Sequence, residues 1–237
     1  MIVTYDGANY YGYQKQPKGK TIQAELENAI LTITKQQVQC VASGRTDAKV
    51  SAHQQPVHFD IETPVNTSQF LRSINGILPN DIRVLKMEET TLHARYSAKR
   101  KTYCYQMYLS DINLPLIKNA FRISQNIDFK AMKKFAKLMV RKHDFNGFKA
   151  SGSETETSIR TIYSAKLKRV NNLLNFEITG NGFLYKMVRN IVGTMILIGE
   201  RKLDLKKIKP LLFTSFKARF TAKPEFLFLK NVEYNKR

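Results

Sequence analysis

The sequence predicts an α+β fold made of two related α/β halves with mostly antiparallel sheets. Its 237 residues, 43% of them hydrophobic, are enough for one large domain or for two closely packed halves. Strands and helices alternate in the first part of the chain, and a similar order recurs after His93. We therefore expect an N-terminal half over residues 1–92 and a C-terminal half over residues 93–237, flanking a basic cleft.

The elements of the first half follow from apolar spacing and helix caps. Thr21 has a capping side chain and precedes apolar residues at helical spacing, which predicts a helix from residue 22 onward. A second helix is expected over residues 68–77, before the stop at Leu78-Pro79-Asn80-Asp81. Strands are predicted over residues 2–5, 38–42, 57–61 and 82–87.

The second half follows the same plan. Asp128 is the expected N-cap of a helix that carries Met132 and Phe135. Gly199 is the predicted stop of a later helix over residues 183–198. Strands over residues 159–170 and 174–179 are expected to pair. The remaining predictions are strands over residues 102–109 and 226–232 and a helix over residues 203–212.

The charge balance indicates the kind of partner. Lys and Arg total 39 against 19 Asp and Glu, which gives a formal net charge of +20. The basic residues are spread along the whole length of the chain rather than confined to a tail. This balance predicts a polyanionic partner.

Cysteine, histidine and apolar content limit the alternatives. Cys40 and Cys104 lack the spacing of a metal-ligand pair, so we expect buried free thiols. The four histidines are scattered, and only His53 and His58 are close in sequence, which argues against a metal site. No apolar run reaches the ~18 residues of a membrane span, and residues 2–5 show no signal-peptide pattern. A cytoplasmic location is expected.

One short run places a carboxylate at a tight turn. In Ser43-Gly44-Arg45-Thr46-Asp47-Ala48, Gly44 allows a sharp turn and Arg45 offers a bidentate cation. Asp47 follows an apolar segment, so its carboxylate is expected at the mouth of a strand, where reactive groups are often displayed. An acid at this position in a strongly basic chain favours a functional role.

A second cluster mixes cations with tyrosines near the junction of the halves. Arg95, Lys99 and Arg100 supply cations for phosphates, and the tyrosines among them supply flat rings for bases. The alternative is a half-buried sheet, because alternation in a strand puts Tyr103 and Tyr105 on one face.

A third cluster lies at the start of an apolar helix. Arg189 is an isolated cation there, and a buried charge is costly unless it is paired. We expect a carboxylate partner for Arg189, with room beside it at Gly193. A purely structural ion pair is the alternative.

Taken together, these clusters resemble the tRNA pseudouridine synthase A family along essentially the whole chain. The first motifs are Tyr5-Asp6-Gly7, Tyr11-Gly12-Tyr13-Gln14, Gly44-Arg45-Thr46-Asp47-Ala48, Val57-His58-Phe59 and Leu78-Pro79-Asn80-Asp81-Ile82. The later ones are His93-Ala94-Arg95-Tyr96-Ser97-Ala98, His143-Asp144-Phe145, Ile159-Arg160-Thr161-Ile162, Gly180-Asn181-Gly182-Phe183 and Met187-Val188-Arg189-Asn190-Ile191-Val192-Gly193. One short motif is weak support, but this many in the same order is strong.

The resemblance implies a pseudouridine synthase fold, a homodimer, and isomerisation of uridine to pseudouridine in tRNA without a metal or organic cofactor. The implied targets are three adjacent uridines on the 3′ side of the anticodon stem-loop, positions thirty-eight to forty of the tRNA. Carried over by position, Asp47 matches the catalytic aspartate, Tyr103 the active-site tyrosine and Arg189 the active-site arginine. Arg45 matches a residue associated with RNA positioning.

The reaction explains why these residue types are needed. Uracil is detached at nitrogen, rotated and reattached through carbon, so the base must leave the stack. Asp47 attacks the base or the sugar, or deprotonates the sugar, and the sequence leaves these routes open. Arg189 is expected to hold Asp47 ionised, and Tyr103 is expected to stack on the uracil. The residues expected to contact RNA are Arg45, Tyr103, Lys49, Arg95, Lys99, Arg100 and Lys186.

Two positions depart from the family pattern. Lys49-Val50-Ser51 stands where family members usually have Gly-Val-His, and Phe226 stands where they usually have glycine. The first change is expected to affect the turn beside Asp47. The second is expected to change the packing near the C-terminus.

Two other functions stay open at the level of the sequence. A non-catalytic RNA-binding protein or RNA chaperone on the same fold would bind tRNA without converting uridine. A basic structural protein of the ribosome or nucleoid would need neither an acid at Asp47 nor a buried Arg189.

Overall fold

The chain divides into two compact units in the computed structural model, which describes residues 1–62, 66–152 and 155–235. The first unit comprises Met1–Lys99 and the C-terminal strand from Phe228. The second comprises Arg100–Leu227. The last strand of the chain therefore belongs to the same unit as the N-terminal residues.

The first unit contains a mainly antiparallel sheet. Strand β1 (Ile2–Tyr5) lies between β3 (Ser51–His58) and β4 (Ile82–Lys86) and is antiparallel to both. The short β2 (Val41–Ala42) is also antiparallel to β3. The final strand, β10 (Leu227–Tyr234), is instead parallel to β3. Because β3 and β10 are parallel and far apart in the sequence, a tight hairpin cannot join them, and their pairing depends on long-range packing.

Two helices complete the first unit. Helix α1 (Ile22–Thr34) begins after Thr21, whose side chain accepts a hydrogen bond from the Ala24 amide. The predicted Thr21 cap is therefore confirmed. Helix α2 (Thr67–Ile77) is capped in the same way by Asn66. Both helices bury one apolar face, as helical spacing of apolar residues requires.

The strands around the Asp47 turn differ from the prediction in extent. The sequence placed a strand over residues 57–61, but β3 begins at Ser51 and ends at His58. The Val50 amide donates to the Asp47 carbonyl and closes the turn, so pairing with β1 starts directly afterwards. The strand predicted over residues 38–42 is reduced to β2. The two strands pair in antiparallel fashion, with Val41 opposite His58.

The second unit contains an antiparallel sheet with a parallel edge segment. Its order is β5 (Ala98–Leu109), β9 (Leu173–Gly180), β8 (Ile159–Val170) and β7 (Lys142–Asp144), and β6 (Phe121–Ile123) pairs in parallel with β5. The predicted pairing of the segments over residues 159–170 and 174–179 is confirmed by β8 and β9.

Three helices accompany this sheet. Helix α3 (Phe129–Leu138) is capped by Asp128, as predicted, with the Ala131 amide donating at 2.8 Å. Helix α4 (Met187–Gly199) is buried at every residue except Arg189 and Leu197. The short α5 (Leu205–Ile208) follows. Single 3₁₀ turns span Asn146–Phe148, Lys209–Leu211 and Pro224–Phe226.

Two helix predictions need correction. The helix expected from residue 183 begins at Met187, because Lys186 has a left-handed backbone with φ 56° that a right-handed helix excludes. The helix expected over residues 203–212 ends at Ile208. Pro210 has no amide hydrogen to donate, and the chain continues there as a 3₁₀ turn.

One cysteine lies in the interior of each unit. Cys40 and Cys104 are buried, as predicted, and neither forms a disulfide in the described part of the chain, while burial raises the pKa of the Cys40 thiol. Across the three described ranges, we find no helix with both the length and the apolar character needed to cross a membrane. Within the same ranges, no group of three or more His, Cys, Asp or Glu side chains is placed to hold a metal ion.

Candidate active site

Asp47 lies in the loop between β2 and β3, against the segment that follows β1. The Tyr13 amide donates to the Thr46 carbonyl at 3.1 Å, and the Lys49 amide donates to the Tyr10 carbonyl at 3.0 Å. Within the loop, the Val50 amide donates to the Asp47 carbonyl at 3.1 Å. The Asp47 side chain itself is only half-buried. The backbone on both sides of the carboxylate is thus fixed, while the carboxylate is accessible.

Two glycines allow the segment after β1 to approach this loop. A Cβ atom on Gly12 would lie 2.7 Å from the Thr46 carbonyl oxygen, and Gly12 has φ +95°. A Cβ atom on Gly7 would lie 2.2 Å from the Val50 carbonyl oxygen. Both distances are too short for any side chain, which gives these two motif glycines a physical role.

A buried polar network holds the loop from beneath. The Tyr5 hydroxyl and Thr46 Oγ1 share a hydrogen bond of 2.8 Å. The Ser43 hydroxyl donates to Gln55 Oε1 at 2.6 Å, and Gln55 Nε2 donates to the Gly44 carbonyl at 2.6 Å. Burial raises the pKa of Tyr5 to about 12, so its hydroxyl stays neutral at physiological pH.

Sequence reasoning missed this network, and Gln55 in particular. No local pattern distinguishes Gln55 from Gln54, yet Gln54 is exposed and Gln55 is fully buried. A buried amide with both ends hydrogen-bonded fixes its neighbours, because each broken bond would leave a desolvated polar group. Gln55 therefore holds the Ser43–Gly44 start of the turn that presents Asp47.

The lysine that replaces the usual family glycine keeps a glycine-like backbone. Lys49 has φ 66°, in the left-handed region. Glycine adopts this conformation freely, whereas other residues are strained there by about 1 kcal/mol. The turn beside Asp47 thus accommodates lysine at a steric cost, and the Lys49 side chain is exposed.

Arg189 lies in the first turn of α4 and is held by the main chain near Ala222. Its Nε donates to the Ala222 carbonyl at 2.8 Å, and the Ala222 amide donates to the Arg189 carbonyl at 3.1 Å. Arg189 is half-buried in a helix whose other residues are almost all buried. A carboxylate partner for Arg189 stays a prediction.

The space beside Gly193 was predicted to accommodate Arg189, but another segment of the chain occupies it. A Cβ atom on Gly193 would lie 1.9 Å from the Phe220 carbonyl oxygen, so backbone fills the room that was expected to accommodate Arg189. Asn190 extends this contact, since Thr221 Oγ1 donates to its Oδ1 at 2.6 Å and its Nδ2 donates to the Phe148 carbonyl at 2.8 Å. No local sequence pattern indicated the segment around Thr221, because the contact joins distant parts of the chain.

Tyr103 and Tyr105 lie on one face of β5, as strand alternation predicted. The Tyr103 ring is 9% exposed and meets Phe183 edge to face at a centroid distance of 5.2 Å. Phe183 precedes α4, which begins at Met187, so it lies outside the helix that the sequence predicted over residues 183–198. Tyr105 is fully buried, and among the described residues its hydroxyl has no hydrogen-bond partner. Burial raises the Tyr105 pKa, and the nearby Arg189 charge acts in the opposite direction.

Phe226 fills the space above Tyr105. Its ring lies 6.4 Å from the Tyr105 ring and 5.7 Å from the Phe121 ring, between centroids. A glycine, which the family usually has here, would leave this space unfilled. The expected difference in packing near the C-terminus is therefore an additional aromatic contact.

The cations expected to contact RNA are mostly exposed. In the first unit, Arg45, Lys49, Arg95 and Lys99 have exposed side chains. In the second unit, the exposed Arg100 lies 4.7 Å above the Tyr163 ring centroid. Lys186 is half-buried and lies 4.8 Å from the Tyr185 ring centroid. Cations over aromatic rings are common where a protein binds phosphates and bases.

Comparison with known proteins gives a consistent result. A family profile described as tRNA pseudouridine synthase matches residues 1–97 and 135–235. The tRNA pseudouridine synthase A of an Exiguobacterium species is 39% identical over 241 residues, which cover 100% of this chain and 97% of that protein. The tRNA pseudouridine synthase A of Acetivibrio thermocellus is 37% identical over 239 residues, covering 99% and 98%. A Clostridium perfringens protein named tRNA pseudouridine synthase A 2 is 35% identical over 239 residues, covering 99% and 98%.

Proposed function

The chain belongs to the tRNA pseudouridine synthase A family and is an isomerase that forms pseudouridine in tRNA, and we propose that it acts on the anticodon stem-loop. The proposed targets are the uridines at positions thirty-eight to forty of the tRNA. Family membership favours this activity over the alternative of a non-catalytic RNA chaperone. The fold is that of the pseudouridine synthases.

Asp47 is the proposed catalytic carboxylate. The observation that carries this role is the contrast between a half-exposed carboxylate and a loop fixed by backbone bonds and by the buried Gln55 network. A reacting group must be held close to one geometry, since small misplacements lower the rate strongly. Asp47 meets this requirement without being buried away from a substrate.

Tyr103 and Arg189 take the roles of the family's active-site tyrosine and arginine in this proposal. The Tyr103 ring is held by an edge-to-face contact with Phe183, and a ring held in place suits a side chain that stacks on a flat base. Stacking on the uracil, rather than proton removal, is its proposed role. The Arg189 guanidinium is anchored through Nε, and the anchor limits its orientations.

The wider RNA surface is proposed from charge. The +20 net charge and the exposed cations supply contacts to phosphates. Such contacts recognise the shape of a folded RNA more than its sequence, and they weaken steeply as salt rises. The resemblance further supports a homodimer in the cytoplasm that works without a metal or organic cofactor.

The test is pseudouridine mapping on unmodified tRNA, with no cofactor added. The wild-type protein is expected to convert uridines only in the 3′ side of the anticodon stem-loop. Asp47→Asn is expected to lower the rate by about 1000-fold or more, as loss of a catalytic group does. Asp60→Asn, which changes an exposed acid of the same unit, serves as the matched control and is expected to convert normally.

Two results would contradict different parts of the proposal. Normal conversion by Asp47→Asn would remove Asp47 from the catalytic role. Conversion at uridines outside the anticodon stem-loop would leave the catalytic residue in place and overturn the proposed target.

A further inference from the structure

Three aromatic rings of the first unit form a stack of ring contacts that ends at the surface, with the His58 and His93 rings tilted by 58° to each other. The His58 and His93 rings lie 4.4 Å apart, and the His93 and Tyr96 rings lie 4.3 Å apart, between centroids. The second contact is close to parallel, with an interplanar angle of 29°. His58 and His93 are distant in sequence, so no sequence pattern predicted this stack.

The histidine side chains of the stack accept hydrogen bonds from the backbone next to it. The Ala94 amide donates to His58 Nδ1 at 3.1 Å, and the Arg95 and Tyr96 amides both donate to His93 Nδ1 at 3.2 Å. The Tyr234 hydroxyl donates to the Ala94 carbonyl at 2.7 Å. An Nδ1 atom that accepts hydrogen bonds carries no proton, so this geometry requires neutral imidazoles.

The electrostatic environment of His58 agrees with the neutral form. Partial burial lowers its pKa first, and the neighbouring His93 lowers it further, while Asp60 acts in the opposite direction. A neutral His58 keeps Nδ1 available to the Ala94 amide at physiological pH. The stack is therefore a rigid support for its outer ring.

The outer ring of the stack, Tyr96, is largely exposed to solvent although its support is rigid. The Tyr96 side chain is 77% exposed, and the exposed Arg95 guanidinium lies 5.8 Å from the ring centroid. Lys99, three residues further on, is exposed as well. A flat ring with cations beside it suits a nucleobase and its phosphates, and a ring already held in place loses little entropy on binding.

We propose that the exposed face of Tyr96 stacks on an unpaired base of the tRNA other than the reacting uridine. Arg95 and Lys99 would contact the phosphates next to that base. The reacting uracil must be enclosed away from water, which a ring that is 77% exposed does not provide. This inference rests on tRNA as the substrate and adds a second contact site to the proposed function.

The experiment compares Tyr96→Leu with Tyr96→Phe. Leucine removes the flat ring and phenylalanine keeps it, so the pair isolates stacking. Binding of unmodified tRNA to Tyr96→Leu is expected to be about 5- to 150-fold weaker, the usual range for one base–aromatic stack. Tyr96→Phe is expected to bind within about 2-fold of the wild type, and kcat at saturating tRNA is expected to change little in either variant.

A fluorescent base provides a direct signal. We would place 2-aminopurine at successive unpaired positions of the anticodon loop and measure its quenching on binding. Quenching at one position by the wild type and Tyr96→Phe, but not by Tyr96→Leu, is the expected result. Asp47→Asn is expected to retain this quenching while losing conversion, so a failure of the catalytic proposal is distinguishable from a failure of this one.

Three results would overturn the inference. Unchanged tRNA affinity in Tyr96→Leu would show that the ring contributes no binding. A lower kcat with unchanged affinity would place Tyr96 in the chemistry instead. A change of sedimentation coefficient in Tyr96→Leu without RNA would identify the ring as a contact between two copies of the chain.

Discussion

The loop that carries Asp47 and the helix start that carries Arg189 are fixed by different means. In the first, buried side chains from Tyr5, Thr46 and Gln55 hydrogen-bond beneath the loop. In the second, main-chain atoms of the segment around Ala222 contact α4 directly. A side-chain network fails when one polar group is lost, whereas close backbone packing fails when one atom is added. The two regions should therefore respond to opposite kinds of substitution.

The regions also share a feature. Lys49 lies two residues after Asp47 and has φ 66°, and Lys186 lies three residues before Arg189 and has φ 56°. Each lysine has a left-handed backbone at the point where the chain turns into β3 or α4. In both regions a strained, positively charged residue thus stands beside a proposed active-site residue.

The largest expected effect is that of adding one methyl group beside Arg189. Gly193→Ala would place Cβ 1.9 Å from the Phe220 carbonyl oxygen, so the backbone of that segment must shift. We expect a loss of about 3 kcal/mol in the free energy of unfolding, at the upper end for overpacking. The measurement is urea unfolding followed by circular dichroism.

Gly76→Ala is the matched control for this comparison. Gly76 lies in α2, and among the described residues no atom outside its own stretch of helix lies within 4 Å of the added Cβ, so the substitution is expected to stabilise the helix by about 0.5–1 kcal/mol. If Gly193→Ala were as stable as the wild type, close backbone packing would not be what holds the start of α4.

The next largest effect is expected from removing a polar side chain beneath Asp47. Gln55→Leu keeps the approximate volume but leaves the Ser43 hydroxyl and the Gly44 carbonyl without their buried partner. We expect the free energy of unfolding to fall by about 2 kcal/mol, together with slower pseudouridine formation. Gln54→Leu, at the exposed neighbouring position, is expected to change both quantities little. Equal effects of the two substitutions would argue against a supporting role for the network.

The smallest expected effect on stability is that of removing one hydroxyl from a buried tyrosine, and it should differ between Tyr5 of the first unit and Tyr105 of the second. Tyr5→Phe removes the hydrogen bond to Thr46 and is expected to cost about 1 kcal/mol. Tyr105→Phe removes a buried hydroxyl that has no hydrogen-bond partner among the described residues, and it is expected to be neutral or slightly stabilising. Thermal unfolding of the two variants checks the difference, and a reversed order would contradict the stabilising role given to the hydrogen bond between Tyr5 and Thr46.

Local patterns predicted much of the fold. Thr21 and Asp128 cap their helices as expected, because a capping side chain acts on amides only two or three residues away. The pairing of β8 with β9 was also predictable, since a two-residue connection joins two alternating strands. The wrong boundaries, at Ser51 and at Met187, lie where a turn or a left-handed residue interrupts the apolar pattern.

The candidate site was predictable only in part. The sequence singled out Asp47, Tyr103 and Arg189 through motifs, and their catalytic roles stay predictions. It missed Gln55 and the segment around Thr221, because neither carries a local signal. Gln55 is separated from Tyr5 by fifty residues of chain and Asn190 from Thr221 by thirty-one.

The sequence by itself determined the fold class, the polyanionic partner, the family and the turn that bears Asp47. The partner and the turn follow from composition and from residues close together in the chain, and the family follows from a resemblance carried by short motifs in the same order along the chain. Only the tertiary structure decided that β10 joins β3 in parallel, that Phe220 occupies the space beside Gly193, and that His58 supports Tyr96 through His93. The physical reason is that such contacts form between distant residues, and their energies depend on three-dimensional packing that local spacing does not encode.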